Sequence, residues 1–201
     1  MKISDKGGSD FQTVDAGMYV ARCYKLIDLG TQEGEYQGKP NFKREIVIGW
    51  EFTEEKMDDG QPFTTSAFYT ASLGDKANLR KFLAGWRGRD FTPEELACFE
   101  LKTILGQPCM LNMAANKKGK VVPVSAAPMM KGMMCGIQIN ETQYFSLDED
   151  EFSMAEYEKL GAWFKDKVNK SLEFIALTSA GVGASGDSET HNDAPDDDIP
   201  F

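Results

Sequence analysis

Lysines set beside aromatic rings are the side chains through which this chain could do chemistry. Tyr36, Lys39, Phe42, Lys43 and Arg44 fall within nine positions, and Lys117, Lys118 and Lys120 surround Gly119. Tyr24 adjoins Lys25, while Phe63 and Tyr69 share one face of an alternating run that puts Phe68 on the other. Cations that follow a phosphate backbone and ring faces that stack on bases are the two ingredients for holding an unpaired nucleic-acid strand, and stacking adds about 1–3 kcal/mol per base without choosing a sequence. Periodicity does not decide which of Phe63, Phe68 and Tyr69 stacks and which packs; Phe63 and Tyr69 are taken as the stacking pair. Either basic group, taken alone, also fits an ordinary solvated loop.

Other chemistries find less support. Cys23, Cys98, Cys109 and Cys135 show no CxxC spacing and His191 is the single histidine, so the paired ligands of a zinc site are missing. The run Asp148-Glu149-Asp150-Glu151 and the acidic pairs at 54/55 and 58/59 read as loops facing water. No P-loop and no Ser/His/Asp or Cys/His set can be assembled. The expectation is a protein that is not an enzyme, with no catalytic residues, no metal and no cofactor. The cysteines read as reduced. No apolar run of membrane-spanning length and no signal-peptide core is present, which points to a soluble, cytoplasmic protein with no membrane partner.

The net charge of -10 would argue against a nucleic-acid partner if it were evenly spread. Residues 1–140 carry 18 Lys and Arg against 17 Asp and Glu, residues 141–175 carry 4 against 9, and residues 176–201 carry 0 against 6. The body is therefore neutral, and the negative charge lies toward the C-terminal end.

The elements that must position the candidate residues follow from pattern. Residues 1–16 are a polar arm. Residues 18–29 read as a strand with apolar side chains on both faces, one face covered and one used. Residues 30–41, with three glycines and a proline, read as a loop. Ile46, Ile48, Trp50 and Phe52 alternate as a half-buried second strand, and residues 62–70 form a third. A helix from about residue 75 carries Leu79, Phe82, Leu83 and Trp86 at helical spacing and closes near Gly88, and Thr92-Pro93-Glu94-Glu95 opens another. Two further strands, 108–115 and 120–126, flank a turn at 116–119. Four methionines, Met129, Met130, Met133 and Met134, follow, then a strand or extended arm at 137–147. Ser153 caps a helix whose Tyr157, Leu160, Phe164 and Val168 form one stripe. Three strands, a helix and two strands is the order of an OB-fold, a mainly β barrel, here occupying residues 17–177 with a helical extension; nucleic acid lies across its second and third strands, between the loops joining strands 1 to 2 and 4 to 5. From residue 178 the composition changes to that of a disordered acidic tail.

That tail finishes in Asp196, Asp197, Asp198, Ile199, Pro200 and Phe201. Three carboxylates, a rigid proline and an aromatic ring beside an α-carboxylate suit a partner with a basic rim and an apolar socket. The six residues resemble the acidic C-terminal tip of bacterial single-stranded DNA-binding proteins. Segments such as YVARCYKLIDLGTQ and KREIVIGWEF resemble, more loosely, phage-encoded proteins of that type. The resemblance implies a protein that covers single-stranded DNA during replication, recombination and repair and recruits proteins of those pathways through its tip. Self-association is compatible with it, although the body departs from the bacterial pattern and tetramer contacts do not carry over. Two other readings stand beside it: an interaction protein that imitates the tip without touching DNA, and a nuclease or annealing factor using the acidic clusters.

Overall fold

The computed structural model describes residues 13–182, so most of the N-terminal arm and the whole of the acidic tip lie outside the described residues. The chain is mainly β. Five strands, β1 (Gly17–Tyr36), β2 (Lys39–Lys56), β3 (Pro62–Thr70), β4 (Pro108–Ala115) and β5 (Val121–Ala127), pair antiparallel in the order β3-β2-β1-β4-β5. The two outer strands, β3 and β5, come into contact, which curls the sheet around its core. A short β6 (Gln143–Phe145) runs parallel to β1 along the edge that β4 leaves beyond Arg22. Between β3 and β4 lie α1 (Asn78–Arg87), α2 (Pro93–Ala97) and a 3₁₀ turn (Leu101–Ile104); after β6 come α3 (Met154–Lys159), α4 (Ala162–Val168) and α5 (Leu172–Val182). No helix among the described residues is long and apolar enough to cross a membrane.

Inside the curled sheet, Cys23, Leu26, Ile48, Trp50 and Phe52 meet Leu79, Phe82, Leu83 and Trp86 of α1. The helical spacing of that α1 stripe delivers one face to the sheet. Gly88 ends α1 in the left-handed region at φ 71°. Thr92 and Glu95 form the expected capping box at α2.

Residues 30–41 are not a loop. They complete a β-ribbon in which β1 and β2 pair out to Tyr36 opposite Lys39, reversed by Gln37 and Gly38, both at positive φ (52° and 75°). Such a two-residue turn matches the twist of its strands. The glycines that read as loop chemistry do other work: Gly30, at φ 69°, lies where a Cβ would come within 2.5 Å of the Ser171 Cβ.

The two-faced apolar pattern of β1 also has a different meaning from the expected one. Bulges at Tyr24 and Leu29 shift its register against β2. Ala21, Cys23 and Leu26 enter the main core, whereas Ile27 and Leu29, with Val47, enter a second core beneath Phe145, Leu147, Tyr157 and Val168. Both faces of β1 are covered there. The single helix expected after Ser153 is divided, because Leu160 and Gly161 adopt extended backbone (ψ 140° and 152°) between α3 and α4. Residues 178–182, expected to start the tail, are the last turn of α5.

Polar contacts join this extension to the sheet. The Glu173 carboxylate accepts from Thr31 N at 2.7 Å and Thr31 Oγ1 at 2.6 Å. Glu51, fully buried, accepts from Ile139 N, Asn140 N and Asn140 Nδ2 at 2.7–2.8 Å and so fastens the segment that leads into β6.

Candidate nucleic-acid interface

The outward face of β1, β2 and β3 is laid out by register. Lys25 pairs with Gly49 and Gly49 with Ser66; in the next outward row Ile27 pairs with Val47 and Val47 with Phe68. A Cβ at residue 49 would stand 2.9 Å from the Lys25 Cβ and 3.0 Å from Ser66 Oγ, so Gly49 lets the lysine stem lie close against β2. The Lys25 Nζ is 5.3 Å from the Tyr24 ring centroid and 5.5 Å from that of Phe164. Burial lowers the pKa of this ammonium.

Phe68 is 54 % exposed and meets Trp163, 51 % exposed, edge to face with centroids 5.6 Å apart and planes at 75°. Trp163 belongs to α4, and Lys167, one turn further on, brings its Nζ to 5.8 Å from the indole centroid. Two open rings and two cations are thus held together by the sheet and the appended helix. Trp50 and Trp86, by contrast, are buried.

The residues read from the sequence divide into four groups. Lys25 packs against Phe164, the neighbour of Trp163. Lys39, Phe42 and Lys43 are exposed on the β1–β2 ribbon, where Tyr36 pairs with Lys39 through the backbone. Lys117, Lys118 and Lys120 are exposed on the β4–β5 turn, which Asn116 Oδ1 shapes by accepting from Lys118 N and Lys120 N. Gly17 of β1 faces Met113 near that turn and Tyr36 ends the ribbon, so the two basic tips belong to opposite ends of a 20-residue strand with a contour of roughly 60 Å at ~3.3 Å per residue. They do not form one cluster. The Phe68–Trp163 pair lies part-way between them.

Four of the candidates are engaged elsewhere. Phe63 and Tyr69 turn toward the main core, Tyr69 packing on Phe82 with centroids 5.3 Å apart, and burial pushes the Tyr69 hydroxyl pKa up. Alternation therefore exposes Phe68, the residue passed over, in place of that pair. Tyr24 is buried at the bulge, and burial raises its hydroxyl pKa. Arg44 is bound to Asp28 through Nε and Nη2 and to Asp148 at 2.7 Å, which holds its pKa far above the ordinary value.

No family model, curated protein or solved structure matches this chain. The arrangement therefore has to be read from its own side chains.

The cations fall into two classes. Every arginine has an internal partner: Arg22 donates to Gly106 O at 2.6 Å and Gly136 O at 3.0 Å, Arg44 holds Asp28, Arg80 bridges Asp75 and Asp90, and Arg87 and Arg89 converge on Glu95. Lys25, Lys39, Lys43, Lys117, Lys118, Lys120 and Lys167 form no ion pair among the described residues. The acidic run is partly neutralised, since Asp148 binds Arg44 and Glu151 binds Lys102 and the Tyr144 hydroxyl. Among the described residues no three metal-ligating side chains stand together.

Phe68 is weighed in the sequence but set aside for Phe63 and Tyr69, and Trp163 and Lys167 are not among the residues the pattern singles out. Trp163 lies off the Tyr157/Leu160/Phe164/Val168 stripe with Lys167 four residues on, and that displacement of a large aromatic from a core stripe was the available signal.

Proposed function

We propose that this chain binds single-stranded DNA largely without sequence preference, in the service of replication, recombination and repair, and that its acidic tip recruits other proteins of those processes. The observation that carries the reading is the exposed aromatic pair bordered by lysines that form no ion pair among the described residues, on the outer face of β1–β3 and α4. The strand order β3-β2-β1-β4-β5, with α1 and α2 between β3 and β4, supports an OB-fold, a fold whose second and third strands receive nucleic acid. The six-residue tip supports the recruiting role through its likeness to the bacterial proteins. The looser likeness of the YVARCYKLIDLGTQ and KREIVIGWEF segments to phage-encoded proteins supports a phage origin, in which a host-like tip reaches host partners.

Titration of a fluorescently labelled oligo-dT in dilute buffer tests the binding function. Saturable binding that weakens steeply with salt is expected; a strand that stays free at micromolar protein overturns it. Should the chain ignore the strand yet capture partners through Phe201, it is an interaction protein imitating the tip. Because the tail is anionic, removal of residues 193–201 is expected to tighten DNA binding most at low salt; equal affinities there would dismiss competition between tail and strand.

A further inference from the structure

We infer that Phe68 and Trp163 form a composite base-stacking platform, shared between the sheet and the C-terminal helical extension, with Lys25 and Lys167 placed for the phosphates on either side of the stacked base. The inference rests on the single-strand-binding reading and goes beyond it by assigning the residues that touch bases and by making α4 part of the binding surface.

An exposed aromatic on a surface is commonplace, but two half-exposed rings in mutual contact are not explained by burial. The two rings meet edge to face, with planes at 75°, and each stays about half exposed. An apolar partner such as a second protein copy would also fit open rings, yet here Lys167 lies against the Trp163 indole and Lys25 against its neighbour Phe164, and neither ammonium forms an ion pair among the described residues. Cation and ring together match a base with its phosphate better than an apolar side chain. Lys43 extends the same outward row of β2, four residues from Val47 and hence about 13 Å along the strand at ~3.3 Å per residue, which is roughly two nucleotides of extended backbone away.

Positioning on α4 has a structural basis. The extension is fixed to the sheet by Val168 and Tyr157 in the second core, by Glu173 on Thr31, and by Gln32 Nε2 donating to Lys167 O at 3.1 Å. Trp163 is therefore held against Phe68 by contacts that do not involve its own indole.

The test uses the full chain and oligo-dT. Trp163→Ala and Phe68→Ala are each expected to weaken dT binding roughly 5- to 150-fold, the range of one lost base stack, whereas Trp163→Phe retains most of the affinity. Binding of an abasic strand of equal length should be unchanged in all three, because only the backbone is then held. Since Trp50 and Trp86 are buried, quenching of intrinsic fluorescence by dT should vanish in Trp163→Phe. Wild-type affinity for dT in both alanine variants overturns the platform while leaving the function intact; an equal loss on dT and abasic strands also overturns it, by showing a structural effect. Failure of the wild type itself to bind dT instead refutes the underlying function.

Discussion

Replacing Arg44 by alanine is expected to destabilise the fold without weakening the proposed DNA binding, although Arg44 lies in the most cationic stretch of the sequence. Its guanidinium is the only charged partner of Asp28 among the described residues, the Asp28 side chain is 9 % exposed, and Arg44 reaches Asp148 as well. Removing one member of a buried ion pair costs about 3–5 kcal/mol, because the other charge is left without compensation. Two features place this pair at the low end. The arginine side chain is 34 % exposed, and Asp28 keeps backbone donors from Gly30 at 2.9 Å and Leu147 at 3.2 Å. The expected loss is about 3 kcal/mol, or a fall in Tm of roughly 6–12 °C for a domain of this size. Urea and thermal melts followed by core tryptophan fluorescence measure it. Arg44→Met with Asp28→Asn should recover much of the loss, since both charges are then absent. A variant that melts with the wild type but releases oligo-dT would refute the argument and return Arg44 to the binding surface.

Two more outcomes are expected. The Glu95 carboxyl, held by Arg89, the Thr92 N–H and Arg87, has its pKa lowered from 4.5 to about 2; a depressed folded-state value contributes stability that is complete above the unfolded pKa and lost as pH falls through the folded one. Melts between pH 6 and pH 2 should therefore show an acid limb that Glu95→Gln flattens, and identical limbs would count against the lock between α1 and α2. Burial pushes the Cys23 thiol pKa up to about 12 and raises that of Cys109, while Cys98 is exposed and Cys135 half-buried beside Thr53. Thiol reagents at pH 8 should modify Cys98 first, then Cys135, and the other two only on unfolding; native labelling of Cys23 at the rate of Cys98 would contradict the packing.

How much was legible depended on whether a signal was local. The alternation Ile46/Ile48/Trp50/Phe52, the α1 stripe, the Thr92 box and the β4–β5 turn are written in neighbouring residues, and each was readable. The β1–β2 ribbon was not, because Gly30 answers to a bulge and to the distant Ser171, and only Gly38 serves a turn. The two-sided pattern of β1 was seen, but the second face is covered by residues more than a hundred positions later, Phe145 to Val168, and periodicity carries no information about that partner. The same holds for the candidate site. Exposure of the two basic tips followed from composition, whereas the fate of Arg44 depended on Asp28 and Asp148, and the choice between Phe63/Tyr69 and Phe68 depended on where α1 docks.

The complete internal engagement of the arginines bears on what kind of reader this surface can be. A guanidinium presents a planar fork that matches the acceptor edge of guanine, and it is the commonest side chain for telling one base from another. Here the forks close loops and bind the protein's own carboxylates, and the cations that form no ion pair among the described residues are ammonium points on flexible stems. A polymer drawn to such a surface meets attraction and ring faces but no lettered grammar, so indifference to sequence would follow from how the chain has deployed its two basic residue types.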